Sequence, residues 1–330
     1  MSEVVSDISN RPLLEISDLR VQFQTRDGLA HVVDLERLSV DEGETFGLAG
    51  ESGAGKTVVA MSIFRLIPSP PGIISGGRIL VRGRDVLSMR EEDLRKMRGR
   101  KMSMIFQDPM SSLNPVFTVG QQVTRVIRTH ERLSAREAEE KAARALEIVK
   151  LPDPGGTLRK YPHELSGGMR QRVMIAMGLS CGAELLVADE PTRGLDVTIQ
   201  AGILKLLNEI KRETGMTVLF IANNLGVLAR MCNRVGVMYA GRIVEIGDGA
   251  DVFRKPAHPY TMALLAALPR AETRSEKLAV TEGFPPDPLR IPQGCAFRPR
   301  CPRAAARCEA ERPQLLETGP GRLVACHLAG

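Results

Sequence analysis

"GESGAGKT", residues 50–57, decides the reading of this chain. The buried apolar run "ETFGLAG" leads into it, and a helix predicted over residues 56–67 leaves it, stopped by "PSPPG". The stretch matches G-x-x-x-x-G-K-[ST] in the strand-loop-helix setting that the pattern requires. That setting argues against a chance glycine loop. Glycines let backbone N–H groups curve around phosphate oxygens without Cβ clashes. The helix start adds its positive end. Ser52, Gly53, Ala54, Gly55, Lys56, Thr57 and Val58 are therefore candidate phosphate-binding residues. Lys56 supplies a point charge and Thr57 a hydroxyl for Mg²⁺.

Working outward, "ELLVADE" ends a predicted buried strand on Asp189 and Glu190. Asp189 suits Mg²⁺ and its water shell. Glu190 stands at the carboxyl end of the strand, where a carboxylate can orient and deprotonate an attacking water. Alone, an Asp-Glu pair reads as a loop start or helix cap; with the upstream loop it reads as a catalytic pair. Strands are predicted over residues 13–23 and 31–40 and in "GRILVRG", "KMSMIF", "MTVLFIA" and "RVGVMYAG", with helices in "TIQAGILKLLNEIKRE" and "NLGVLARMC". Residues 118–181 carry helical spacing, and Ser134 with Glu137 forms a capping box. The order is α/β, a largely parallel sheet carrying a helical lobe.

The chain has 330 residues, 43% hydrophobic and 25% charged, which fits a globular protein with a core. Its longest apolar runs, "VMIAMGLSC" and "MALLAAL", fall short of the ~18 residues of a membrane span. The start "MSEVVSDISNRP" carries acids and no apolar core, so it is not read as a signal peptide and the chain is expected to stay in the cytoplasm. The net charge of +6 is spread along the chain and aromatics are 4%, so no nucleic-acid partner is expected.

"LSGGMRQR", residues 165–172, makes the reading specific. It resembles the signature sequence of ATP-binding cassette (ABC) proteins, and the resemblance implies that Ser166, Gly167, Gly168 and Met169 close over the γ-phosphate of ATP held by a partner subunit. It further implies that Gln107 in "MIFQDP" contacts Mg²⁺ and water, that Phe23 in "VQF" stacks on adenine, and that Asp196 in "PTRGLDVT" belongs to the D-loop, although Arg193-Gly194 replaces the more usual small pair. A core phenylalanine is the plain alternative for Phe23. "FQDPMSSLNPVFTVGQQ", "HPYTMALLAALP" and "GCAFRPRCPRAAARCEAERPQLLETGPGRLVACH" resemble the ATPase subunits of oligopeptide/dipeptide-type (peptide/nickel) importers. That resemblance implies a second, related ATPase as a heterodimer partner, two transmembrane permeases, an extracytoplasmic binding protein, and a peripheral place on the cytoplasmic face of the inner membrane. The implied organisation is a flexible tail over residues 1–12, an ABC nucleotide-binding domain over 13–270 with a helical subdomain about 115–181, and an irregular Cys-rich extension over 271–330.

Cys181 and Cys232 are single cysteines in apolar surroundings. Cys295, Cys301, Cys308 and Cys326 crowd the end with the spacing C-x5-C-x6-C-x17-C, which lacks paired C-x2-C knuckles. Four thiolates suit Zn²⁺ or an iron–sulfur centre. In the importer family the matching cysteines hold a [4Fe–4S] cluster, so the resemblance implies that cofactor, with Zn²⁺ as the alternative.

In the family the strand after the D-loop ends in a histidine that contacts the γ-phosphate; by register Asn223 takes that place. Asparagine donates an amide hydrogen bond but is shorter and carries no positive charge. Ala222 and Asn224 depart from the family pattern as well. The first functional reading is an ATPase subunit that powers import of peptides or a related small solute. The alternative is a mainly ATP-binding regulatory half-site whose partner does most of the hydrolysis. A soluble ABC protein acting on DNA or ribosomes is a third, disfavoured by the single cassette and the importer-type ending.

Overall fold

The computed structural model describes residues 12–108, 112–268 and 281–329. The tail expected over residues 1–12 thus lies, Pro12 apart, outside the described residues, as does the expected boundary at 270. The chain forms two compact units, residues 1–88 with 222–330, and residues 89–221.

In the first unit an antiparallel sheet has the order β2-β1-β4-β5, with β1 at Leu14–Thr25, β2 at Gly28–Val40, β4 at Gly72–Val81 and β5 at Arg84–Asp85. The alternation of β1 buries Leu14 and Ile16, then slips: Leu19 and Val21 are the next buried residues. The slip coincides with Asp18 in the left-handed region and with an irregularity in the β1–β4 register, one extra residue re-aiming the apolar face. The same unit holds strands in the order β11-β12-β10-β9-β3: β3 Thr45–Ala49, β9 Arg234–Tyr239, β10 Arg242–Asp248, β11 Leu316–Gly319 and β12 Arg322–Val324. β3 and β9 are parallel and every residue of β3 is buried. The ending is therefore not wholly irregular, since β12 pairs antiparallel with β10 and β11 with β12. Strands of three and four residues are too short to show a period of two in the sequence.

Polar groups pin this junction. Glu245 of β10 is fully buried and accepts from Arg322 Nη2 at 2.7 Å and from the Ala257 and His258 N–H groups at 2.9 Å each. Such a carboxylate is tolerated because it is paired and hydrogen-bonded. His258, 2% exposed, accepts the Tyr260 N–H on Nδ1 at 3.0 Å. Burial drives its pKa down to about 4, against a smaller opposing pull from Glu245.

In the second unit β6 (Met102–Ile105), β7 (Leu185–Asp189) and β8 (Thr217–Ile221) lie in the order β8-β7-β6, all parallel. β7 and β8 are buried throughout, as continuous apolar runs of a covered parallel sheet should be. Helices Val119–His130, Ala135–Ile148, Pro154–Arg159, Gly167–Leu179 and Val197–Thr214 accompany them. Ser134 and Glu137 form the predicted capping box; Thr118 and Gln121 form a second that the sequence reading passed over. In the first unit, the helix predicted over 56–67 spans only Lys56–Ile63, because Arg65 already adopts φ 50°.

His258 makes stability depend on pH with a definite sign. Its folded pKa of about 4 lies below the ordinary 6.5. Below 6.5 the unfolded chain binds a proton that the folded chain refuses, so the contribution is complete above about pH 6.5 and lost as pH falls toward 4. At about 1.4 kcal/mol per pH unit the loss is on the order of 3 kcal/mol. Denaturant unfolding between pH 7 and 4 should show a smaller decline for His258→Gln than for wild type; equal declines would contradict the burial argument.

Candidate functional site

The phosphate loop lies in the first unit, between the end of β3 and the helix Lys56–Ile63. Gly50 takes φ 151°, and a Cβ there would stand 2.3 Å from the Met238 carbonyl oxygen, so only glycine fits. Gly55 at φ 102° is the helix N-cap. Lys56 is 5% exposed, and its Nζ donates to the Gly50 and Glu51 carbonyls at 2.9 Å each. The loop is thus closed by the ammonium of its own lysine. Ser52, Gly53 and Thr57 are exposed, Val58 is half-buried and Ala54 is buried. Phe23 is half-buried in β1 opposite Ala30 and Gly72; a Cβ on Gly72 would touch its ring at 3.1 Å.

The two asparagines part company. Asn224 caps the helix Leu225–Met231, its Oδ1 accepting the Gly226 N–H at 2.9 Å. Asn223 is exposed and follows Ala222, whose N–H bonds the Leu48 carbonyl at 3.3 Å. Leu48 is two residues before Gly50, so Asn223 lies beside the strand that feeds the phosphate loop.

In the second unit, β7 ends on Asp189, 1% exposed, and the chain turns at Glu190 with φ 44°. A left-handed glutamate is uncommon, and such strain clusters at functional sites. The turn is held by the Glu190 N–H on the Ile221 carbonyl at 2.9 Å. Gln107 Nε2 donates to Glu190 Oε2 at 3.1 Å, so two of the sequence candidates meet. Arg193 Nη1 stands 3.6 Å from the same oxygen. In the sequence Arg193 is a departure from the usual small pair, and its i,i+3 spacing to Glu190 is the signal for this contact.

Ser166 is the N-cap of Gly167–Leu179, its Oγ accepting the Met169 N–H at 3.3 Å. Asp196 caps Val197–Thr214 through the Ile199 N–H at 2.9 Å. A Cβ on Gly168 would stand 2.7 Å from Ile199 Cγ2, so the two helix starts pack closely enough to require that glycine. The Ser166 start, capped by a neutral hydroxyl, keeps the positive end of its helix, whereas the Asp196 start is already paired with a carboxylate.

The four terminal cysteines are corrected. Cys295, Cys301, Cys308 and Cys326 are free, and among the described residues no group of three or more His, Cys, Asp or Glu side chains could hold a metal ion. This overturns the expectation of a [4Fe–4S] cluster, or of Zn²⁺, at those positions. Burial pushes the Cys295 and Cys301 thiols up. Phe297, 1% exposed, ties the segment down by packing against Tyr239 (5.2 Å between centroids), Tyr260 (5.4 Å) and His258 (5.9 Å).

A glycine loop closed by a buried lysine, a strand ending in Asp189 and Glu190, and a serine-capped glycine helix start define the ATP-binding cassette class. The ABC transporter family model matches residues 34–193, and the model of the oligopeptide/dipeptide transporter C-terminal region matches residues 244–308. The chain is 48% identical to the oligopeptide transport ATP-binding protein OppD of Escherichia coli (strain K12), over 95% of this chain and 92% of that one. It is 42% identical to the dipeptide transport ATP-binding protein DppD of Bacillus subtilis (strain 168), over 96% and 94%. Among solved structures, the dimeric ATP-binding cassette MJ0796 bound to ADP and Pi superposes with a TM-score of 0.63 at 25% identity, covering 71% of this chain and 98% of that one. The cbiO1 protein from Clostridium perfringens, part of an ABC transporter complex, gives 0.62 at 28%, covering 74% and 91%. This chain belongs to the ABC transporter ATP-binding proteins of the oligopeptide/dipeptide branch.

The Gln107–Glu190 contact generates a prediction. Gln107→Leu removes the amide donor to the carboxylate and should lower ATP turnover roughly tenfold, the worth of one hydrogen bond to a charged group. The KM for ATP should stay within about twofold; steady-state kinetics at saturating Mg²⁺ checks this, and unchanged turnover would deny the contact a catalytic role.

Proposed function

We propose that this chain binds and hydrolyses ATP to power import of peptides, or a related small solute, through an ABC transporter. The observation that carries the reading is Glu190, a carboxylate at a strand end, held by Gln107 and following a buried aspartate. In this reading the amides of residues 52–58 and the Lys56 ammonium bind the phosphates, and Phe23 stacks on adenine. ABC ATPases use ATP and Mg²⁺. Thr57, Asp189 and Gln107 offer only oxygen donors for that ion, which fits a hard cation. When bound, Mg²⁺ neutralises charge developing on the phosphate oxygens. Glu190 orients a water and takes its proton as the water oxygen attacks the γ-phosphorus; the bond to the bridging oxygen breaks, leaving ADP and inorganic phosphate. Ser166, Gly167, Gly168 and Met169 serve the nucleotide of a second ATPase subunit, with Asp196 beside them.

The organisation that goes with this reading is a cassette over residues 13–270, with its helical subdomain at about 115–181, and an extension over 271–330. Partners are a related ATPase chain as heterodimer, two permeases and an extracytoplasmic binding protein. Support for permease docking comes from the second unit, where a groove of about 440 Å³ is lined by Phe106, Leu113, Val126, Met174 and Met177. Phe106 is 42% exposed and nearby Val116 69%, apolar surface of the kind that marks an interface. Among the described residues no helix is long and apolar enough to cross a membrane. A peripheral place on the cytoplasmic face of the inner membrane is therefore proposed.

Asn223 sets the rate at this chain's own nucleotide, because an amide cannot supply the charge that the family histidine brings. A mainly ATP-binding regulatory half-site, whose partner does most of the hydrolysis, is not favoured, since Glu190 and Gln107 remain. In the assembled transporter, Glu190→Gln should slow hydrolysis at this nucleotide roughly 10²–10⁴-fold. Asn223→His should raise turnover. Unchanged turnover in both variants, measured by phosphate release, would refute the assignment.

A further inference from the structure

The second residue of the phosphate loop, Glu51, is gripped from outside the loop. Its carboxylate accepts from Arg300 Nη1 at 3.0 Å and Nη2 at 3.1 Å, a two-pronged pair. The Arg300 side chain is 5% exposed and that of Glu51 25%. Arg300 Nη1 also reaches the Tyr239 hydroxyl at 3.4 Å, and Nε the Glu282 carbonyl at 3.3 Å. Its guanidinium lies 5.8 Å from the Tyr239 ring centroid and 5.9 Å from that of Phe297. The Glu51 N–H donates to the Tyr260 hydroxyl at 2.8 Å, and the Glu51 carbonyl is one of the two that hold Lys56. One residue thus joins Arg300 of the extension to the lysine of the loop, by its carboxylate on one side and its carbonyl on the other, while its N–H is held by Tyr260.

We infer that Arg300 is a positioning residue for nucleotide binding: it neutralises Glu51 and fixes the first turn of the phosphate loop. The inference rests on the reading of this loop as the ATP site. Three physical effects support it. A carboxylate next to a loop that must accept phosphates repels them unless it is paired, and the repulsion is strong where water is scarce. A planar guanidinium packed on two rings loses little entropy on pairing, so it sets the carboxylate's direction as well as its charge. The pair is also intramolecular, so the loop is set before any nucleotide arrives, which lowers the ordering penalty of binding. The extension is in this respect part of the ATPase site.

Charge neutralisation makes a suppression test. Arg300→Ala should raise the KM for ATP roughly 10- to 100-fold, the loss expected when the hydrogen-bond partner of a half-buried charged group is removed, with kcat changed less than about twofold. Glu51→Gln in the same chain should bring KM back to within about threefold of wild type, because the amide no longer repels phosphate. Arg300→Lys should lie between, keeping charge without the fork. Arg300→Gln is measured in parallel, so that a folding failure of Arg300→Ala does not decide the outcome. A purely structural arginine would lower the melting temperature in every Arg300 variant and would not be rescued by Glu51→Gln. Unchanged KM in Arg300→Ala and Arg300→Gln, or a raised KM that Glu51→Gln leaves raised, overturns the inference alone. A wild-type full chain with no saturable ATP turnover overturns the ATP-site reading and the inference with it.

Discussion

The ammonium of Lys56 is the constraint on which the rest depends. A charged group 5% exposed needs partners, and Lys56 finds two of them in the carbonyls of its own loop. That closure demands a backbone only glycine can take at residue 50, pressed against the Met238 carbonyl. It demands a strand, β3, that is buried along its length and delivers the loop at its carboxyl end. It also demands that Glu51, whose carbonyl is one of the two anchors, be held still, which Tyr260 and Arg300 do.

Within the second unit the corresponding constraint is the turn at Glu190. Its left-handed backbone stores strain at the carboxylate proposed to activate water, and Gln107 and Arg193 converge on one of its oxygens. The helix starts at Ser166 and Asp196 each carry their own cap, and turns through Arg193 and Leu195 join the second of them to Glu190. Each cap takes up one of the otherwise unpaired amides of its helix start, Met169 N–H on Ser166 and Ile199 N–H on Asp196.

Features contained in short contiguous stretches were legible in the sequence. The loop at residues 50–57, the strand end at Asp189 and Glu190, and the helix start at Ser166 each carry their chemistry within about eight residues. Long-range pairings were not. Glu51 and Arg300 are 249 residues apart, and each alone looks like a solvated charge. Two adjacent asparagines look alike on paper, yet only Asn224 is a helix cap. The spacing of the four cysteines says nothing of whether they converge, and among the described residues no metal-holding group is formed. The strands of the extension escaped notice since pairing with β10, not their own few residues, makes them strands.

The central claim is that a loop closed by Lys56 binds the phosphates of ATP. Calorimetric titration of Mg-ATP into the full chain tests it most directly, wild type against Lys56→Met. Saturable binding by wild type that Lys56→Met loses, with both proteins giving the same far-ultraviolet circular dichroism spectrum, is the predicted result. Equal binding by the two, or none by wild type, would contradict it.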